Sequence, residues 1–142
     1  MTMYNNILLA YDFDNSFTNV PKEIESLAAG RDNVTVTLYN VISEAELQSS
    51  VRYNNKHLED IAEEKEHQLH PFIEELEATG VSVNVKFSSG PIKQTLLKEL
   101  KDSAYDIIVM SNKRDKANLG NVLGNVTHKI ANSAEIPVLI IK

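Results

Sequence analysis

Short apolar segments alternate along this chain with longer amphipathic segments, and this alternation constrains the fold more than any other feature. The short segments are rich in β-branched residues, as strands are, and they cover residues 7–11, 34–39, 81–85, 107–110 and 138–141. The segments between them carry apolar residues at helical spacing, over residues 20–29, 55–79, 91–103 and 121–133. Strand–helix alternation predicts parallel pairing with right-handed crossovers. We therefore predict one α/β domain over residues 1–142, a doubly wound five-stranded parallel sheet of order 3-2-1-4-5 with helices on both faces.

Two segments depart from this regular pattern. Residues 43–54 have weak periodicity, and we expect an irregular or mobile excursion there. Pro71 lies inside the long helical segment, where proline removes a backbone hydrogen bond and clashes with the preceding turn. We expect a kink or break in this helix near His70.

The composition argues against several classes of function. The net charge is −6, so the surface repels nucleic acid phosphates and anionic lipid. The absence of cysteine excludes disulfides, thiolate metal sites and cysteine nucleophiles. The apolar runs are too short to span a membrane, and the first residues do not resemble a secretion signal. We expect a cytoplasmic protein with no nucleic acid partner and no membrane partner.

A ligand is expected at the carboxyl ends of two strands. In an open doubly wound sheet it binds at the switch point, which this strand order places between the first and fourth strands. Asp12 follows the first strand, where its carboxylate accepts hydrogen bonds from a ligand or caps the next segment. Ser111 follows the fourth strand. Residues 124–127 open the last helix, whose free N–H groups and positive dipole end suit an anion.

These residues give the chain its resemblance to the universal stress proteins, which covers nearly its whole length. The first strand with its acidic end, residues 7–12, and the final stretch, residues 106–142, are similar to those of the family. The resemblance implies an adenine-nucleotide alpha-hydrolase-like fold. It also implies ATP or AMP as a ligand, with Mg²⁺ only alongside ATP, and a homodimer formed through the last strand. The edge position of that apolar strand independently favours a partner that covers it.

The resemblance also implies a set of binding residues. Adenine would lie near Val41 and Met110, ribose near Asp12, and phosphates near residues 124–127. The full set is Ala10, Asp12, Val41, Met110, Ser111, Arg114, Gly124, Asn125, Val126 and Thr127.

The phosphate-binding loop departs from the pattern G-x2-G-x9-G-[S/T] of nucleotide-binding members. That pattern falls on Ser111, Arg114, Gly124 and Asn125, so one glycine of three is retained. An arginine cannot adopt the positive φ open to glycine without strain or a changed loop path. The added cations, Lys113, Arg114 and Lys116, could replace amide contacts with phosphate. We prefer to interpret them as solvated charges with Asp115 as a local partner.

The sequence favours a small stress-response regulatory or binding protein with a degenerate adenine-nucleotide crevice, not a turnover enzyme. One alternative is a weak Mg²⁺-dependent ATP hydrolase using Asp12, with Asp14 as a second carboxylate for the metal. The other is a dimeric interaction module that binds no nucleotide and presents residues 43–54 to a partner. His67 and His70 have metal-ligand spacing, but they lie off the apolar stripe and are interpreted as a solvated helix face.

Overall fold

The computed structural model describes residues 4–13, 15–54, 57–111, 113–114 and 125–142, with backbone alone at 15, 50–54, 113–114 and 125. The strands are β1 (Asn6–Ala10), β2 (Asn15–Ser16), β3 (Thr35–Ile42), β4 (Ser82–Ser89), β5 (Ile107–Ser111), β6 (Lys113–Arg114) and β7 (Val138–Ile141). The helices are α1 (Val20–Ala28), α2 (Glu44–Asn54), α3 (Leu58–Glu77), α4 (Ile92–Asp102) and α5 (Asn125–Ser133).

Five of the strands form one parallel sheet in the order β4-β3-β1-β5-β7. This is the predicted order 3-2-1-4-5, since the short β2 and β6 lie outside the sheet. The prediction of a doubly wound five-stranded parallel sheet is confirmed. The central strands are buried because helices cover both faces, which explains why they show almost no polar alternation.

Alternate residues of β1 belong to two separate cores. Ile7 and Leu9 pack with side chains of α1 and α3, whereas Leu8 packs with side chains of α4 and α5. Successive side chains of β1 point to opposite faces of the sheet, so this strand contributes to the helix-covered core on each face. Both cores reach to the carboxyl ends of the strands, where a ligand is expected.

The prediction of an irregular excursion at residues 43–54 is wrong, because α2 occupies Glu44–Asn54. The helix begins after Ser43, whose hydroxyl oxygen accepts a hydrogen bond from the Glu46 backbone N–H at 3.1 Å. This is an N-cap contact, and it stabilises a helix whose apolar stripe is weak.

We expected a kink or break near His70, and the break is wrong, since α3 continues through Pro71. Leu69 and Leu76 are buried on either side of the proline, and Phe72 and Ile73 pack against the same core. Packing on both sides holds the helix across the lost hydrogen bond.

A two-stranded antiparallel ribbon was not predicted. Asn15 pairs with Arg114 and Ser16 pairs with Lys113 in β2 and β6. The hydroxyl of the buried Ser111 donates to the Ser16 carbonyl at 2.5 Å. The ribbon therefore ties the segment after β1 to the segment after β5, beside the switch point.

A buried carboxylate joins α4 to the sheet. Glu99 is 8% exposed, and both of its carboxylate oxygens accept from the Lys86 ammonium, at 2.9 and 2.8 Å. The Tyr105 hydroxyl donates to the same carboxylate at 2.7 Å. Burial, followed by this hydrogen bond, raises the pKa of Tyr105 to about 12. The hydrogen bond to Glu99 raises the pKa of Lys86, and burial raises that of Tyr39.

These three shifts predict a loss of stability at alkaline pH. Each group holds its proton more tightly when folded, so its contribution is complete below the unfolded pKa and is lost as pH rises through the folded value. The window opens near pH 10, the ordinary tyrosine value, and extends to about 12 for Tyr105. Because the Tyr105 side chain is partly exposed and solvent screens it, we expect its shift to contribute about 1–2 kcal/mol to the free energy of unfolding. Urea denaturation from pH 9 to 12 measures the loss. Tyr105→Phe should flatten the profile, and an equally steep profile in that variant would contradict the assignment.

Candidate functional site

A cavity of about 160 Å³ opens at the carboxyl ends of β1, β3 and β5, at the switch point of the sheet. Its lining residues come from these strand ends and from α4 and α5: Ala10, Tyr11, Asp12, Tyr39, Asn40, Val41, Ile92, Leu96, Met110, Val126 and Thr127. Apolar side chains supply much of the wall, with Asp12 exposed at the end of β1. This mixture suits a flat apolar ring carrying polar substituents.

The structure brings six of the ten predicted binding residues together around this cavity. These are Ala10, Asp12, Val41, Met110, Val126 and Thr127. Val41 is the second-last residue of β3, because this strand extends to Ile42 and not only to residue 39 as predicted. Thr127 is buried in the first turn of α5, and Met110 is buried near the end of β5.

Of the other four predicted residues, the structure describes three. Ser111 ends β5, and its hydroxyl donates a hydrogen bond to the Ser16 carbonyl. Arg114 lies in β6, where its backbone pairs with Asn15. Asn125 is the first residue of α5, whereas Gly124 lies outside the described residues. The second position of the glycine pattern therefore lies in the ribbon, and the first is hydrogen-bonded to it.

Five residues of the cavity wall were not predicted. They are Tyr11, Tyr39, Asn40, Ile92 and Leu96. Ile92 and Leu96 are one helical turn apart at the start of α4, so the apolar periodicity of that helix could have indicated them. Ile92 is the exposed large apolar side chain of the described residues, at 39% exposure. Its position at the cavity accounts for an apolar side chain that is otherwise poorly placed.

The main chain of β3 presents a polar edge to this cavity. The ladder between β1 and β3 ends where the Tyr11 N–H donates to the Tyr39 carbonyl at 2.8 Å. In a parallel ladder alternate residues of a strand bond to the same neighbour. The next residue of β3 that faces β1 is Val41, which lies beyond the end of β1. Its N–H and C=O form a donor–acceptor pair at the cavity wall.

A second cavity of about 260 Å³ adjoins the first and shares four lining residues with it: Asp12, Asn40, Val41 and Ile92. Its far wall carries the Lys65 ammonium, which lies 3.0 Å from the Glu46 carboxylate and 4.2 Å from the centre of the Phe13 ring. These contacts connect α2 and α3 to the segment that carries Asp12. The helix missed by the sequence interpretation is thus part of the rim of the site.

The structure gives no support to a histidine metal site. The rings of His67 and His70 lie 5.4 Å apart, and both side chains are exposed. Within the described residues, no group of three or more histidine, aspartate or glutamate side chains is placed to hold a metal ion. Asp14, proposed as a second carboxylate for Mg²⁺, lies outside the described residues.

The described helices include none long and apolar enough to cross a membrane.

A doubly wound parallel sheet with a cavity at its switch point defines the class of α/β domain to which this chain belongs. The family model of the universal stress protein family matches residues 3–142, and the chain belongs to that family. The resemblance seen in the sequence is confirmed. Among curated protein sequences, none matches this chain significantly.

Several solved structures share the fold over almost the entire chain. The hypothetical protein MJ0577 is 26% identical, with a TM-score of 0.82 and coverage of 99% of this chain and 97% of its own. Universal stress protein UspA from Lactobacillus plantarum is 17% identical, with a TM-score of 0.77 and full coverage of both chains, 100% and 100%. The universal stress protein from Archaeoglobus fulgidus in complex with dAMP is 19% identical, with a TM-score of 0.61 and coverage of 99% and 100%.

Proposed function

We propose that this chain binds an adenine nucleotide in the switch-point cavity and acts as a cytoplasmic stress-response regulatory protein, without rapid turnover. The observation that carries the proposal is the free edge of β3 beside an apolar cavity. Adenine presents a ring nitrogen acceptor next to an exocyclic amine donor. The Val41 N–H and C=O offer the complementary pair. The dAMP complex of the Archaeoglobus fulgidus relative supports an adenine ligand for this fold.

The remaining lining residues fit the other parts of such a nucleotide. Met110 and Val126 supply apolar surface for the base, and the Asp12 carboxylate can accept from ribose hydroxyls. Thr127 lies in the first turn of α5, where backbone N–H groups and the helix dipole favour a phosphate. AMP or ATP then fits the cavity, with Mg²⁺ accompanying ATP.

The ribbon at the phosphate side favours the shorter nucleotide. In β2 and β6 the backbone at positions 113 and 114 is paired with residues 15 and 16. The Ser111 hydroxyl donates a hydrogen bond to the Ser16 carbonyl in β2. Those groups are occupied within the protein, which leaves fewer of them for a triphosphate than the full glycine pattern would. We therefore expect AMP to bind at least as tightly as ATP–Mg²⁺.

Calorimetric titration with AMP, cyclic AMP and ATP–Mg²⁺, combined with an assay of phosphate release from ATP, tests this function. Binding without phosphate release supports the proposal. Release that Asp12→Ala abolishes would instead identify a weak ATP hydrolase. If none of the three binds at millimolar concentration, the crevice proposal is overturned in favour of a module that binds no nucleotide.

We also propose a homodimer that pairs through β7. This strand is an edge of the sheet and consists of Val138, Leu139, Ile140 and Ile141. The Ile108 N–H donates to the Pro137 carbonyl, so the odd-numbered residues bond to β5 and the N–H of Ile140 faces outward. An apolar edge with free backbone groups favours pairing with a second copy.

The dimer predicts a specific effect of proline at position 140. Ile140→Pro removes an outward-facing donor but no bond to β5, so the variant should fold and be monomeric. Light scattering at micromolar concentration measures the mass, with circular dichroism as the check on folding. A monomeric mass for the unmodified chain would rule out the dimer. An Ile140→Pro variant that remains dimeric would exclude pairing through this edge.

A further inference from the structure

The side chain of Asn40 occupies the position at which the ladder between β1 and β3 stops. Its Nδ2 donates to the Tyr11 carbonyl at 2.9 Å. If the ladder continued, that carbonyl would be the acceptor for the Val41 N–H. The Asn40 side chain therefore takes the place of a backbone donor. As a result, the Tyr11 carbonyl is satisfied while the Val41 edge stays available to a ligand.

The other end of the same carboxamide lacks a partner. Asn40 is 7% exposed, and within the described residues its Oδ1 is buried with no hydrogen bond. A buried acceptor without a donor costs about 1–3 kcal/mol of stability. Such a group calls for an explanation, and a ligand that supplies the donor is one. Asn40 lines both the switch-point cavity and the adjoining cavity, so this residue lies at the boundary between them.

We propose that Asn40 determines base specificity, by accepting a hydrogen bond at Oδ1 from the exocyclic amine of the base. This inference rests on the proposed function. The amine of adenine has two N–H groups, and the Val41 carbonyl can accept only from one of them if the ring lies along the β3 edge. The planar carboxamide of Asn40, fixed by its bond to Tyr11, supplies a second acceptor beside that edge. A base with hydrogen or oxygen in place of the amine leaves Oδ1 unsatisfied.

The test compares AMP with purine riboside 5′-monophosphate, which has the same ring nitrogens but no amine. The unmodified protein should prefer AMP. Asn40→Leu removes the acceptor and should lower this preference by about fivefold, the effect of one hydrogen bond. Asn40→Asp also loses the Nδ2 donor but keeps an acceptor oxygen, so it should retain the preference. Thr37→Val, which removes another buried polar group of β3 outside the cavities, is the matched control and should change neither affinity.

The ratio of the two affinities separates recognition from a structural role. If Asn40 only holds the end of β1, the Leu and Asp variants lower the affinities for both ligands equally and leave their ratio unchanged. That result overturns the inference about Asn40 but not the proposed function. If the unmodified protein binds neither ligand, the proposed function fails together with it. Should Asn40→Leu fail to fold, Asn40→Ala removes the same acceptor with less bulk. A preference for AMP lowered about fivefold in that variant supports the inference, and a ratio equal to that of the unmodified protein overturns it.

Discussion

Replacing Asp12 with alanine is expected to lower the affinity for AMP by about 10- to 100-fold, the effect of losing a hydrogen bond to a charged acceptor. Asp12 follows β1 and lines both cavities at the switch point. No apolar residue of the wall can replace its carboxylate as an acceptor for ribose hydroxyls. Isothermal calorimetry on the folded variant measures the change.

The ligand provides an internal control for this assignment. An AMP analogue without the 2′ and 3′ hydroxyls should bind the unmodified protein about as weakly as AMP binds Asp12→Ala. The affinity for this analogue should not fall further in Asp12→Ala, because the ribose hydroxyls and the Asp12 carboxylate interact with each other. Asp32→Ala removes an exposed carboxylate from the loop between α1 and β3, at the opposite end of the sheet. It changes the net charge equally and should leave the affinity unaltered. An additive loss from the analogue and Asp12→Ala would contradict contact between the ribose and Asp12.

Replacing Lys86 with methionine is expected to lower the free energy of unfolding by about 2 kcal/mol. The change leaves the buried Glu99 carboxylate without its cation. Removing one partner of a fully buried pair costs more, about 3–5 kcal/mol, but the Lys86 side chain is 49% exposed and water screens the pair. Urea denaturation at neutral pH measures the loss.

The double variant Lys86→Met/Glu99→Leu distinguishes an uncompensated charge from lost packing. It replaces both charges with apolar side chains of similar size, so most of the lost stability should return. Glu99→Leu alone should cost less than Lys86→Met alone, because the half-exposed Lys86 is then left to water. If the double variant were as unstable as the sum of the single ones, the pair would not act as a unit.

The regular part of the fold could be predicted because it depends on local patterns. The apolar β-branched runs of β1, β5 and β7 identify strands, and the helical spacing in α1 and α4 identifies helices. Chain order and the handedness of crossovers then give the sheet topology. The same patterns gave the wrong result at α2, although the sequence Ser43-Glu44-Ala45-Glu46 carries an N-cap signature that periodicity does not register.

The less predictable features depend on pairing between distant segments. The ribbon joins two polar two-residue segments that lie about 100 residues apart, and neither has a strand pattern of its own. The role of Asn40 depends on where the ladder between β1 and β3 ends, which only the three-dimensional register reveals. By contrast, Asp12 could be placed at the cavity, because strand order alone brings the ends of β1 and β5 together. Met110 was placed there by the family resemblance.

The most direct test of the account is the response of the Val41 amide to AMP, followed by ¹⁵N–¹H correlation spectroscopy during a titration. A base that accepts a hydrogen bond from the Val41 N–H shifts that proton resonance downfield, and signals from Asp12 and Thr127 should change at the same AMP concentrations. The account predicts this saturable set of shifts around the switch-point cavity. Saturable shifts confined to another surface, or spectra unchanged at millimolar AMP, would contradict it.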